Sequence, residues 1–133
     1  MLAAPGADLL DRLDRERTVW LCTLRPDGSP HLTPVWFRYA EGRFWIGSAD
    51  WTVKTRNVQA DPRVSLALPD TDAPVVAEGV VTVVRPPFPP DVVAALAERY
   101  DGWDIATAGP DGQYVLFRVD VTRWLMAGRT LTG

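Results

Sequence analysis

The run Ser48-Ala-Asp-Trp-Thr52-Val-Lys54-Thr-Arg56-Asn57 concentrates groups that bind an anion. Ser48 and Thr52 bring hydroxyls. Lys54 and Arg56 bring two cations to what reads as the first turns of a helix, where free backbone N–H groups attract negative charge. Lys54 is the only lysine beside 13 arginines, so a compact ammonium stands where every other cationic side chain is a guanidinium. The corner suits a phosphate; a solvated helix face is the plainer reading of the same residues.

A second candidate is His31-Leu-Thr-Pro-Val-Trp-Phe37, an extended run with a proline inside it. Proline removes a ladder donor and marks a sheet edge or an opening. Backbone amides along Thr33, Pro34, Val35 and Trp36 are then available to the polar edge of a planar ring, with Trp36 near its face. An edge strand paired in a dimer is the alternative, and the two are compatible. Other chemistries find little support. His31 is the single histidine, a weak basis for a nucleophilic triad, and one Cys with one His cannot complete a zinc site, so no metal site is expected. Neither GxGxxG nor GxxxxGK[ST] occurs.

These residues need a scaffold, and the texture of the chain is mostly β. Residues 18–24 and 31–39 are rich in β-branched and aromatic types around Pro26-Asp27-Gly28, which predicts a hairpin; Glu41-Gly42 turns into a third strand at 43–47. Thr52 reads as the N-cap of a short helix to Ala60, stopped by Asp61-Pro62. Val64, Leu66 and Leu68 predict a strand, and 75–84 another, with Ala77, Gly79, Val81 and Val83 on one face. After a proline cluster at 86–90, a helix is expected over 91–100, with Val92, Val93, Leu96 and Tyr100 sharing a face. A Gly- and Asp-rich loop leads to a last strand in which Val115, Phe117, Val119 and Val121 alternate with Tyr114, Arg118, Asp120 and Thr122. A short amphipathic helix over 8–17 precedes everything, carrying Leu9, Leu10 and Leu13.

Six or seven antiparallel strands without βαβ alternation imply a closed or nearly closed barrel. At 133 residues, one domain spanning 1–133 is the default. A net charge of -3 argues against a nucleic-acid partner. The charged residues within 1–13 leave neither a secretory signal nor a membrane span, and the lone Cys22, read as a small buried hydrophobe, fits a reducing cytoplasm. The six tryptophans exceed what a modest core needs and suggest an interface or an aromatic-walled pocket.

Leu21-Cys-Thr-Leu-Arg-Pro-Asp-Gly-Ser-Pro-His-Leu-Thr-Pro-Val-Trp-Phe37, followed by Thr52-Val-Lys-Thr-Arg-Asn-Val-Gln-Ala-Asp-Pro-Arg-Val64, resembles the split β-barrel superfamily of pyridoxamine 5′-phosphate oxidase-like proteins. It is most similar to the actinobacterial branch of coenzyme F420 (deazaflavin)-dependent reductases, from about Val19 to Leu125. The resemblance implies a mainly β, Greek-key split barrel with short peripheral helices, and a homodimer with cofactor sites at the subunit interface. It implies a phosphate held near Ser48, Thr52, Lys54, Arg56 and Asn57, and a ring along Thr33, Pro34, Val35 and Trp36. The partner chain would close the site with Trp103 or residues near Arg118.

The activity implied is hydride transfer from reduced coenzyme F420 to a small electron-poor organic substrate, with His31, Tyr39 or solvent as proton donor. The alternatives are an FMN-dependent oxidoreductase of the same fold, or a non-catalytic flavin- or haem-binding protein. Two departures from the vitamin-making and FMN-type members matter. The chain ends at Gly133, without their C-terminal substrate-binding extension, so pyridoxamine phosphate oxidation is not expected. The run Pro34-Val-Trp-Phe37 also lacks the arginine with which FMN-type members lead this strand, which favours the deazaflavin.

Overall fold

A computed structural model describes residues 6–109 and 112–127. Residues 1–5, 110–111 and 128–133, which fall in the expected leading segment, the Gly- and Asp-rich loop and the chain end, lie outside the described residues. The strands are β1 (Thr18–Leu24), β2 (Pro30–Ala40), β3 (Arg43–Ala49), β4 (Arg63–Ala67), β5 (Val75–Val84) and β6 (Tyr114–Ala127). They pair antiparallel in the closed order β1-β2-β3-β6-β5-β4, with β1 meeting β4 to complete the barrel. The mainly β split-barrel expectation thus resolves to six strands.

Alternation decides what fills the interior. Val19 and Leu21 of β1, Phe37 of β2, Phe44 and Ile46 of β3, and Phe117 and Val119 of β6 are fully buried in one cluster. Leu116 is equally buried although it points the other way, because β6 is covered on its outer face by α3 (Pro90–Arg99). That helix supplies Val92, Leu96 and, at its C-cap, Tyr100 to a second cluster with Trp45 and Ile105. Cys22 is not a core residue: its neighbours Leu21 and Thr23 point inward, so period 2 turns the thiol to the outer face, half-buried.

α1 (Ala7–Arg15) buries Leu9 and Leu13 against the barrel. Leu10 was expected on the same stripe but is 45 % exposed, since the contact is only wide enough for positions four apart. α2 (Val53–Ala60) starts where its cap chemistry places it: the Thr52 side chain accepts the Thr55 N–H at 3.3 Å, and Asp61 closes the helix before Pro62. None of the described helices is long and apolar enough to cross a membrane.

Candidate functional site

The barrel is stitched at one end of β2 and open at the other. β2 pairs with β3 only from Phe37↔Ile46 to Ala40↔Arg43, whereas β3 pairs with β6 along its whole length to Ala49↔Tyr114. Residues 30–36 of β2 keep β1 on one side and, among the described residues, have no strand on the other. Continued one for one, the register would set Val35 opposite Ser48, Thr33 opposite Asp50 and His31 opposite Thr52; instead the strands diverge there.

Backbone direction along this open edge follows from Tyr100. Its hydroxyl accepts the Phe37 N–H at 2.8 Å and donates towards the carbonyls of Arg17 (2.7 Å) and Phe37 (2.8 Å), so it sits between the ends of β1 and β2. Phe37 therefore turns its peptide groups towards β1, and by alternation Leu32, Pro34 and Trp36 turn theirs towards the open edge. Pro34 costs the β1–β2 ladder no bond, and the edge offers the N–H groups of Leu32 and Trp36.

α2 closes the interior beneath the split. On the β3 side, three hydroxyls bond one another: Ser48 Oγ lies 3.0 Å from both Thr52 Oγ1 and Thr55 Oγ1, and the two threonines are 2.9 Å apart. Thr55 Oγ1 also donates to the Ala49 carbonyl at 2.8 Å. On the β1 side, Asn57 Nδ2 donates to Thr23 Oγ1 at 3.0 Å, with both residues buried. Ser48, Thr52 and Asn57, expected as phosphate contacts, are thus engaged in fastening the helix to the barrel, and Asn57 is directed inward.

Lys54 and Arg56 do not act together. Two positions apart on a helix is about 200° of rotation, so Arg56 is exposed on the face opposite Lys54, and the expectation of a two-cation corner is corrected to one. Lys54 shares its face with Thr55, Asn57 and Val58, all buried. Burial pushes its pKa below the ordinary value, and no carboxylate among the described residues offsets the cost. A half-buried ammonium without a counter-charge among the described residues sits at the head of the split.

Across from it, on the inward face of β2, His31 Nδ1 and Thr33 Oγ1 are both buried without a hydrogen-bond partner among the described residues. Such atoms are costly unless a ligand satisfies them. Tyr39, the other proposed proton donor, is at the wrong end of the strand: six residues from Thr33, about 20 Å in extended chain, packed on Phe44 with ring centroids 5.0 Å apart. Burial also raises its pKa, making it a weaker acid.

On the outer side of the opening, Trp36 stacks flat on Tyr100, with centroids 4.5 Å and planes 2° apart, and meets Trp103 edge-on at 5.4 Å. Trp103 lies on the β3 backbone at Gly47, where a Cβ would overlap its ring and stand 2.9 Å from Ile105 Cδ1. Within this chain, then, Trp103 is part of the wall behind Trp36. Arg118 is engaged on its own strand with Asp120 at 3.4 Å and reaches Thr82 of β5.

Thr23, Thr55 and Tyr100 were not singled out for the site from the sequence. Thr55 carried a signal, three residues after the cap where reciprocal capping is common; for Thr23 and Tyr100 the partners are remote in sequence. A groove of about 410 Å³ lies elsewhere, on the outer face of β1, β4 and β5 beside Cys22, Arg63 and Val80, and contains none of the corner's residues.

A family model described as pyridoxamine 5′-phosphate oxidase matches residues 7–127. Among solved structures, an F420 reductase is 28 % identical over 92 % of this chain and 98 % of its own, with a TM-score of 0.71. A conserved hypothetical protein of Mycobacterium tuberculosis is also 28 % identical, over 92 % and 84 %, with a TM-score of 0.72. The haem-storage protein of Vibrio cholerae, 18 % identical over 96 % and 99 %, has a TM-score of 0.75 and shares the fold. No curated protein matches the chain.

Proposed function

The chain belongs to the pyridoxamine 5′-phosphate oxidase family, and from that premise we propose that it is an oxidoreductase that uses coenzyme F420 to reduce a small electron-poor organic substrate. The observation that carries this is Lys54: a half-buried ammonium with no counter-ion among the described residues, at the open end of the barrel. The orphaned His31 Nδ1 and Thr33 Oγ1 supply polar atoms that a bound molecule satisfies. The 28 % identical F420 reductase supports the choice of cofactor.

In this reading Lys54 holds the cofactor phosphate, and the open edge of β2 presents the Leu32 and Trp36 N–H groups to the ring. Tyr100 and Trp103 fix the plane of Trp36, which shields the ring from water. Bound there, the reduced deazaflavin supplies the hydride. His31, two residues from Thr33, is the side chain placed to deliver a proton from Nδ1. Trp20, Leu32 and Trp36 leave 40 %, 59 % and 45 % of their surfaces exposed on the outer face of β1 and β2, which a second copy of the chain covers in a cytoplasmic homodimer.

Titration of the purified protein with coenzyme F420, followed by fluorescence quenching, tests the assignment. Saturable binding that weakens at least about tenfold in Lys54→Ala is expected, a loss typical of one charge-assisted contact. Absence of binding, or binding indifferent to Lys54, rejects it. FMN at the same corner is the second reading, favoured by the family itself, and would appear as a yellow protein after purification. A Soret band lost in His31→Ala would instead mark a haem-binding barrel, with His31 as the one imidazole available.

A further inference from the structure

We infer that the corner at the head of α2 is built for a singly charged phosphodiester and selects against the doubly charged phosphomonoester on the same flavin-like skeleton. This rests on the cofactor-binding reading above and specifies the chemistry of its anchor.

The corner holds few free cations. Lys54 is the one positive group on the inward face of α2, and among the described residues it has no acid to release. Arg56 points to solvent from the opposite face. Arg85 is held by Asp50 at 3.1 Å. Arg25 is committed to the hairpin, donating to the Pro30 carbonyl at 2.6 Å, and Arg63 is paired with Asp61 at 2.7 Å. What β2 contributes opposite Lys54 is hydrogen-bonding capacity from Thr33 Oγ1 and His31 Nδ1. Asp50, at the end of β3 where the register would meet Thr33, is the partner that holds Arg85, so the pair brings no net charge to the opening.

One ammonium balances one phosphate charge. A second charge in a partly dry site goes uncompensated, which is costly where solvent screens poorly. A diester keeps two free oxygens, enough for Lys54 and the two β2 atoms, while carrying a single charge. Coenzyme F420 carries such a diester; FMN carries the monoester, close to doubly charged above its second pKa of ~6.

The test compares riboflavin 5′-phosphate with its methyl phosphodiester, which share ring and polyol and differ by one charge. Binding to the 133-residue chain is read by flavin fluorescence at pH 8. The wild type is expected to prefer the methyl diester by about tenfold, the scale of one poorly compensated charge. Thr33→Arg, which adds a cation on the inward face of β2, should shift the preference to the monoester. Should that variant fail to fold, the surface change Asp50→Asn, which frees Arg85, should bring the ratio towards unity. Equal or tighter binding of the monoester by the wild type, or a ratio unmoved in a folded variant, overturns the inference while the oxidoreductase reading stands. Failure of both esters and of coenzyme F420 to bind overturns both.

Discussion

Replacing Lys54 by methionine separates what its ammonium costs the empty fold from what it contributes to a ligand. Burial holds the Lys54 pKa below its ordinary 10.5, and no carboxylate among the described residues offsets the desolvation. Between that lowered value and 10.5 the unfolded chain binds more protons than the folded one, so the empty protein gains stability as pH rises through the window. Below the window the penalty is present in full. Discounted for solvent screening of a half-buried group, it amounts to about 0.5–1 kcal/mol. Lys54→Met keeps the aliphatic stem and removes the charge, so at pH 7 the ligand-free variant should melt ~2–4 °C above the wild type. That gap should narrow as pH approaches 10.5. Ligand at a hundred times its Kd stabilises the wild type by about 2.7 kcal/mol, and a variant that binds about tenfold more weakly by about 1.4 kcal/mol, so the order of melting temperatures reverses. Calorimetry with and without coenzyme F420, at pH 7 and pH 10, reads all of this. A ligand-free variant that melts below the wild type at pH 7, or an order that does not reverse, refutes the description of Lys54 as an uncompensated charge awaiting an anion.

Two further substitutions probe the walls. Gly47→Ala puts a methyl group into the Trp103 ring and against Ile105, so it should cost about 1–3 kcal/mol and shift the tryptophan emission; an unchanged melting curve would mean that Trp103 does not lie on β3. Tyr100→Phe removes the hydroxyl that serves the Phe37 N–H and the Arg17 and Phe37 carbonyls, leaving buried groups unpaired at about 1–3 kcal/mol. Faster hydrogen exchange at Phe37 should accompany that loss.

The parts of the molecule governed by local rules were legible in the sequence. Thr18–Leu24 and Val75–Val84 were bounded correctly because turn residues and alternation agree there, and the Thr52 cap with its Asp61-Pro62 stop located α2. Leu10 failed because a helix touching a barrel end buries a narrower stripe than composition suggests. At the corner, Lys54 and Arg56 are neighbours in sequence but opposite in space, a distinction that appears only once the buried side of α2 is known. The hydroxyl cluster of Ser48, Thr52 and Thr55 requires β3 and α2 to be in place, and the Asn57–Thr23 bond spans 34 residues. Tyr39 and His31 looked equivalent as proton donors until the ladder set one at the stitched end of β2 and the other at the open end.

An opening in a sheet that leaves half a strand unpaired has a colloidal price. Residues 30–36 present Leu32 and Trp36 beside free backbone groups, the combination from which chains add to one another edge to edge. Pro34 stands midway along this stretch with its nitrogen towards the gap, where a third consecutive docking point would otherwise complete a template for an incoming strand. The residue that read as a flaw in the strand acts as its gatekeeper: it keeps the barrel open to a small molecule while denying the same doorway to fibrillar growth.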